Sequence, residues 1–203
     1  MKFLLDDFNS NFGSTLLLPE NRTLLERDFS STSFANRFFD QSAYSEDPIL
    51  HSTLADELNK IETKGWCDDS KERAKFLLIN NLRDCDFNIP IYNVSLNYLR
   101  SHYSALAYLK PTEFRYYSAA IIISAIKNTE RLSEDYFLFW VYELYYKTAD
   151  KIYLIDMFDR RQIIFILSFV LILRNFYKDV NLEEKYDEIA SNLFGHLNKL
   201  QPV

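Results

Sequence analysis

The sequence predicts an all-α fold, a compact bundle of about seven to nine helices forming a single domain over residues 1–203. Three observations predict it. Only 3 Gly and 5 Pro occur in the whole chain, too few for a set of tight hairpins or for a glycine-rich phosphate loop. Hydrophobic residues make up 48% of the chain and aromatic residues 16%, which suits one sizeable core and not a disordered chain. The apolar residues also recur at three- and four-residue spacing. Two heavily apolar helices, over 112–127 and 160–178, are expected at the centre of the bundle.

Residues 1–18 mix short apolar pieces with Asn, Ser and Gly13, and are expected at most to form an arm docked on the core. Pro19 opens a short predicted helix to Asp28. Residues 29–46 carry Phe and Tyr anchors in a loop or short helix. Asp47-Pro48 reads as a cap and a first-turn proline, followed by Leu50, Leu54, Leu58 and Ile61 on one helical face. Gly65 is placed to end that helix in a left-handed turn. A helix from Ser70 to about Arg83 turns Ala74, Leu77, Leu78 and Leu82 inward, and Pro90 breaks the chain after it. Asn93 to Tyr108 is read as one helix that delivers the chain to the centre.

Lys110-Pro111-Thr112-Glu113 has the form of a helix start, with proline where no N–H is needed and a carboxylate in the first turn. Phe114, Tyr117, Ile121 and Ala125 then fall within one quarter of the helix, and Ile122, Ile123 and Ile126 make the rest apolar too. Such a helix needs neighbours on several sides. Ser133 is the expected cap of the next helix, whose residues 136–142 are all apolar or aromatic. Residues 162–173 are the most hydrophobic run, but a bilayer needs about 20 apolar residues. This run of 12 is therefore a core helix, and no membrane partner is expected. Asn181 caps a last amphipathic helix that Gly195 ends.

The spacing of Leu109, Pro111, Phe114, Arg115, Tyr116, Tyr117 and Ala120 resembles the Leu-x-Pro-x-x-Phe-Arg-Tyr-Tyr-x-x-Ala signature of an all-helical bacterial family of unknown function. A second point of similarity is Asp159-Arg160-Arg161-Gln162. Ser118-Ala119 stand where that family usually has Leu-Pro. The resemblance covers the second half of the chain and implies no particular chemistry.

The formal charge of −6 comes from 29 acidic and 23 basic residues. That balance argues against nucleic acid, whose binding needs clustered Lys and Arg, and permits a basic protein partner. Asp6-Asp7 interrupts the apolar start Phe3-Leu4-Leu5 before a signal segment can form, so a cytoplasmic location is expected. The 2 cysteines, Cys67 and Cys85, make neither a disulfide framework nor a metal site. His51, His102 and His196 show no paired-ligand spacing, and no metal or cofactor is implied. No catalytic constellation is legible.

Arg115 is expected to pair with a carboxylate from a neighbouring helix, the alternative being a ligand-binding guanidinium flanked by the rings of Tyr116 and Tyr117. Candidate partner-binding residues are Trp66, an aromatic anchor beside Asp68 and Asp69, and the acidic series Glu183, Glu184, Asp187 and Glu188. The expectation is a non-catalytic binding protein, of the kind that gives bacteria immunity to a basic toxin. The alternatives are a scaffold subunit and an enzyme whose site is assembled across helices.

Overall fold

The computed structural model describes residues 2–13, 23–30, 54–80, 90–129, 132–149, 157–176 and 180–199. Helix α1 spans Lys2–Phe12, α2 Leu24–Ser30, α3 Leu54–Thr63 and α4 Asp68–Asn80. Helix α5, Leu96–His102, lies between two 3-10 segments, Ile91–Asn93 and Tyr103–Tyr108. The chain continues through α6 (Pro111–Lys127), α7 (Asp135–Ala149), α8 (Arg160–Phe176) and α9 (Val180–Leu197). Among the described residues there is no strand, and the helices pack as the predicted bundle.

Pro111 occupies the first position of α6, and the Glu113 carboxylate accepts the Lys110 N–H at 2.9 Å. From Phe114 to Ile126 every residue but Arg115 and Ser124 is buried, as an apolar circumference requires. Its neighbours include α1, the Ile91–Asn93 turn and α7. Trp140 of α7 donates its indole N–H to Ser118 Oγ of α6 at 2.9 Å and packs against Phe137 and, across the core, Phe169 of α8. Helix α8 starts on a reciprocal cap. Gln162 N–H donates to Asp159 Oδ1 at 2.9 Å, while Asp159 N–H donates to Gln162 Oε1 at 3.2 Å. Helix α9 packs on α8 and α7.

Residues 2–12 form a helix that belongs to the core, where at most a docked arm was expected. Phe8 and Phe12 stack at 4.8 Å, and both meet the edge of Phe165 at 5.7 Å. Both are buried, and burying a phenylalanine contributes roughly 1.5–3 kcal/mol. Gly13 ends the helix at φ 69°, with its N–H on the Asn9 carbonyl, the left-handed stop for which glycine is suited. Gly65 follows α3 without that conformation.

The single helix expected over 93–108 is broken into α5 and the 3-10 segment that follows it. The break falls at His102, whose ring is held on both nitrogens by other helices. Ser95 caps α5 through its hydroxyl, which accepts the Tyr98 N–H. Helix α7 begins on the Glu134 carbonyl, one residue after the expected cap Ser133. Asn181 and Gly195 lie inside α9, which begins before the one and continues past the other. On α3, Ile61 is buried and Leu58 half-buried, but Leu54 is exposed and Glu57 is buried in its stead. The expected proline-led starts at Pro19 and Pro48, the aromatic stretch 31–46 and Cys85 lie outside the described residues.

Helix α2 is too short to persist alone. Other helices complete its first turn: Tyr117 Oη of α6 accepts the Leu24 N–H at 3.1 Å, and Tyr98 Oη of α5 accepts the Leu25 N–H at 3.0 Å. Its Arg27 guanidinium grips Glu113 of α6 through both carboxylate oxygens at 2.8–3.0 Å, with the Glu113 side chain fully buried. Burial separates two apolar clusters. The larger surrounds α6, and a smaller one joins Leu25, Ile61, Ala74 and Leu77 of α2, α3 and α4 with Trp66 from the segment between α3 and α4.

Candidate functional site

A chain of polar side chains lies against the smaller cluster, where α2, α4 and α5 meet. Cys67 is the residue before α4, and its carbonyl accepts the Lys71 N–H at 3.0 Å. Its N–H is taken by Ser101 Oγ at 2.8 Å. One turn on, Ser70 points inward and is buried. The Cys67 thiol donates to Ser70 Oγ at 3.3 Å. Ser70 Oγ lies 3.0 Å from His102 Nε2, and His102 Nδ1 lies 2.9 Å from Asp28 Oδ2.

The direction of each bond follows from donor inventory. The Trp66 indole can only donate, and it does so to Asp28 Oδ2 at 2.6 Å, so that oxygen is an acceptor. His102 therefore carries a proton on Nδ1 and, in its neutral form, offers a lone pair at Nε2 to the Ser70 hydroxyl. Ser70 in turn accepts from Cys67. The four groups make one relay running from a half-buried thiol to a buried carboxylate.

Burial is the largest single influence on the Asp28 carboxyl and acts to raise it, but the groups around the carboxyl outweigh burial in sum. The His102 hydrogen bond, together with the charges of His102 and Lys64 and the Trp66 N–H, holds the carboxyl below its ordinary value. Lys64 Nζ is 3.7 Å from Asp28 Oδ1 and 4.9 Å from the Trp66 ring centre. For Cys67, burial again raises the value, and hydrogen bonds with the Ser101 and Ser70 hydroxyls and the Ser70 backbone overcome it. The net shift is downward despite Asp69.

A depressed carboxyl stabilises the fold above its unfolded value, and that stability is lost as the pH falls through the folded value. The urea midpoint of the wild type should therefore fall below about pH 4. Asp28→Asn should lower the midpoint at pH 7 and make it flatter with pH; an identical acid profile in the variant would remove Asp28 from the acid response.

The predicted partner-facing residues are placed in three ways. Trp66 is not an exposed anchor. It is 6% exposed, with its N–H on Asp28 and its ring against the His102 ring at 4.8 Å, because donor and ring together satisfy a buried carboxylate and imidazole. Asp68 and Asp69 are exposed in the first turn of α4. Glu183, Glu184, Asp187 and Glu188 are exposed on α9, opposite the buried Leu182, Tyr186, Ile189 and Leu193. The two acidic groups stand on helices with different neighbours, α3 for α4 and α8 with α7 for α9.

Arg115 corrects a further expectation. Among the described residues it has no ion pair, and its Nε is buried without a hydrogen bond. The guanidinium–carboxylate pair on α6 is made two residues earlier, with the carboxylate on α6 and the guanidinium on α2.

Residues 68–192, from the first turn of α4 into α9, match the family of unknown function DUF6714. The chain belongs to that family. The DUF6714 match takes in α6 and the Asp159–Gln162 cap, both of which carried the resemblance in the sequence. Ser70 and His102 lie within the DUF6714 span, and Asp28 and Cys67 precede it. No curated protein and no solved structure matches the chain. No helix among the described residues of this DUF6714 member is long and apolar enough to cross a membrane.

Proposed function

We propose that this protein is a non-catalytic cytoplasmic binding protein that confers immunity by engaging a basic toxin directly. One observation carries the reading: the acidic face of α9 is bordered by exposed apolar side chains. Phe194 is 59% exposed, and it follows Glu183, Asp187 and Ser191 at three- and four-residue spacing on the same face. On α8, Ile164 and Leu171 are 46% and 42% exposed and stand seven residues apart on one stripe.

The two faces are side by side. Arg174 of α8 pairs with Asp187 of α9, and the Arg160 guanidinium donates to the Leu197 carbonyl. Carboxylates on the same helix face as an aromatic side chain suit a partner with a cationic rim, because charge steers the encounter and the ring supplies the buried contact. A toxin that binds nucleic acid carries such a rim.

The test is co-expression with the product of an adjacent reading frame encoding a basic protein, read as survival and as binding by surface plasmon resonance. Glu183→Lys with Glu184→Lys should slow association about tenfold or more at low salt, and Phe194→Ala should hasten dissociation. A folded wild type that neither binds nor protects ends the immunity reading. Wild-type protection with unaltered binding by both variants moves the interface off α8 and α9.

A further inference from the structure

We propose that Cys67 is a covalent modification site for small neutral hydroperoxides, with Ser70, His102 and Asp28 as its proton relay. The proposal is independent of toxin binding. It rests on the relay's geometry: a half-buried thiol sits at one end, a buried Ser–His–Asp series lies within hydrogen-bond distance of it, and with neutral His102 the donor inventory gives every bond in the series one direction.

The step begins with proton transfer. Cys67 gives its proton to Ser70 Oγ as Ser70 passes its own to His102 Nε2, which leaves a thiolate and an imidazolium facing the Asp28 carboxylate. Among the described residues Lys64 also approaches Asp28, on Oδ1, while His102 contacts Oδ2. The rings of Trp66 and Tyr98 cover His102 at 4.8 and 4.9 Å and keep water from it.

The sulfur lone pair then attacks the terminal peroxide oxygen. An S–O bond forms and the O–O bond breaks. The leaving hydroxide or alkoxide recovers the proton from His102 through Ser70. One thiol and one hydroperoxide become a sulfenic acid and one water or alcohol, the sulfur giving up two electrons and the peroxide taking two.

The class of electrophile follows from the surroundings. Asp68 and Asp69 are exposed beside Cys67 and repel anions, and a half-buried sulfur favours a small reagent. The downward shift of the thiol is consistent with the geometry, since thiolate content governs its reactivity.

The test uses the full chain with Cys85→Ser, so that one thiol remains, and hydrogen peroxide as the probe. Sulfenic acid is trapped with dimedone and counted by mass spectrometry. At pH 7 folded Cys67 should react about tenfold faster than the same chain unfolded in urea. Ser70→Ala should lose about that factor, and Ser70→Thr, which restores a hydroxyl, should keep the rate within about twofold. A purely structural Ser70 would leave the rate in Ser70→Ala unchanged, and that result in a folded variant overturns the proposal. If Ser70→Ala loses its helical circular dichroism, the folded-to-unfolded ratio of the wild type decides alone: a ratio near one overturns it.

Discussion

Replacing Arg27 by alanine should cost about 3–5 kcal/mol of folding stability, because it strands the fully buried Glu113 carboxylate without its guanidinium. Glu113→Ala should be of similar size. It removes the acceptor of three Arg27 hydrogen bonds and also the acceptor for the Lys110 N–H at the start of α6. Urea unfolding followed by circular dichroism measures both. The double variant Arg27→Met with Glu113→Met should recover much of the loss, since two apolar groups leave no buried charge. Additive losses in the double variant would mean that the two side chains do not act as a pair.

Trp140→Ala should cost at least about 3–5 kcal/mol, the range for removing a large aromatic side chain from a core. Trp140 is fully buried and joins three helices: its N–H reaches Ser118 of α6, and its ring lies 6.4 Å from that of Phe169 of α8. Against a total stability of about 5–15 kcal/mol, such a loss threatens the folded state at 37 °C. Trp140→Phe separates the two contributions. It keeps most of the ring and leaves Ser118 Oγ without its donor, for an expected loss of about 1–3 kcal/mol from the unmade bond. A thermal melt in which Trp140→Ala shifts no more than Trp140→Phe would show that the ring contributes little.

The elements legible in the sequence are those with local signals. Pro111 and Glu113 mark the start of α6, Asp159 and Gln162 make their own cap, and the apolar circumference of α6 demands the burial it has. Helix α1 was hidden because its core contacts are few: Phe8 and Phe12 carry it, and their partner Phe165 lies far along the chain. The break at His102 has no glycine or proline to announce it. Its cause is tertiary, two ring nitrogens bonded to residues 74 and 32 positions away.

The same distances hid the relay. Cys67 and Ser70, three residues apart at a helix start, were the one local trace of it, and neither His102 nor Asp28 could be joined to them without the fold. The position of Trp66 is hidden for a related reason. An aromatic residue beside two aspartates reads as a surface anchor until a buried carboxylate from another helix claims its N–H. Acidic α9 was legible because its buried and exposed faces alternate at a regular helical period.

The tyrosine hydroxyls that complete the first turn of α2 also set an order of events during synthesis. Leu24 and Leu25 receive their acceptors from residues 93 and 73 positions later, so α2 leaves the ribosome long before the groups that hold it. Until Tyr117 emerges, the nascent chain carries Asp28 with no docked helix to present it, and large loops must close before it can be placed. His102 likewise follows Cys67 in the order of translation. A nascent Cys67 is thus an ordinary thiol, and its wiring to His102 and Asp28 is completed only after the ribosome has delivered the start of α6.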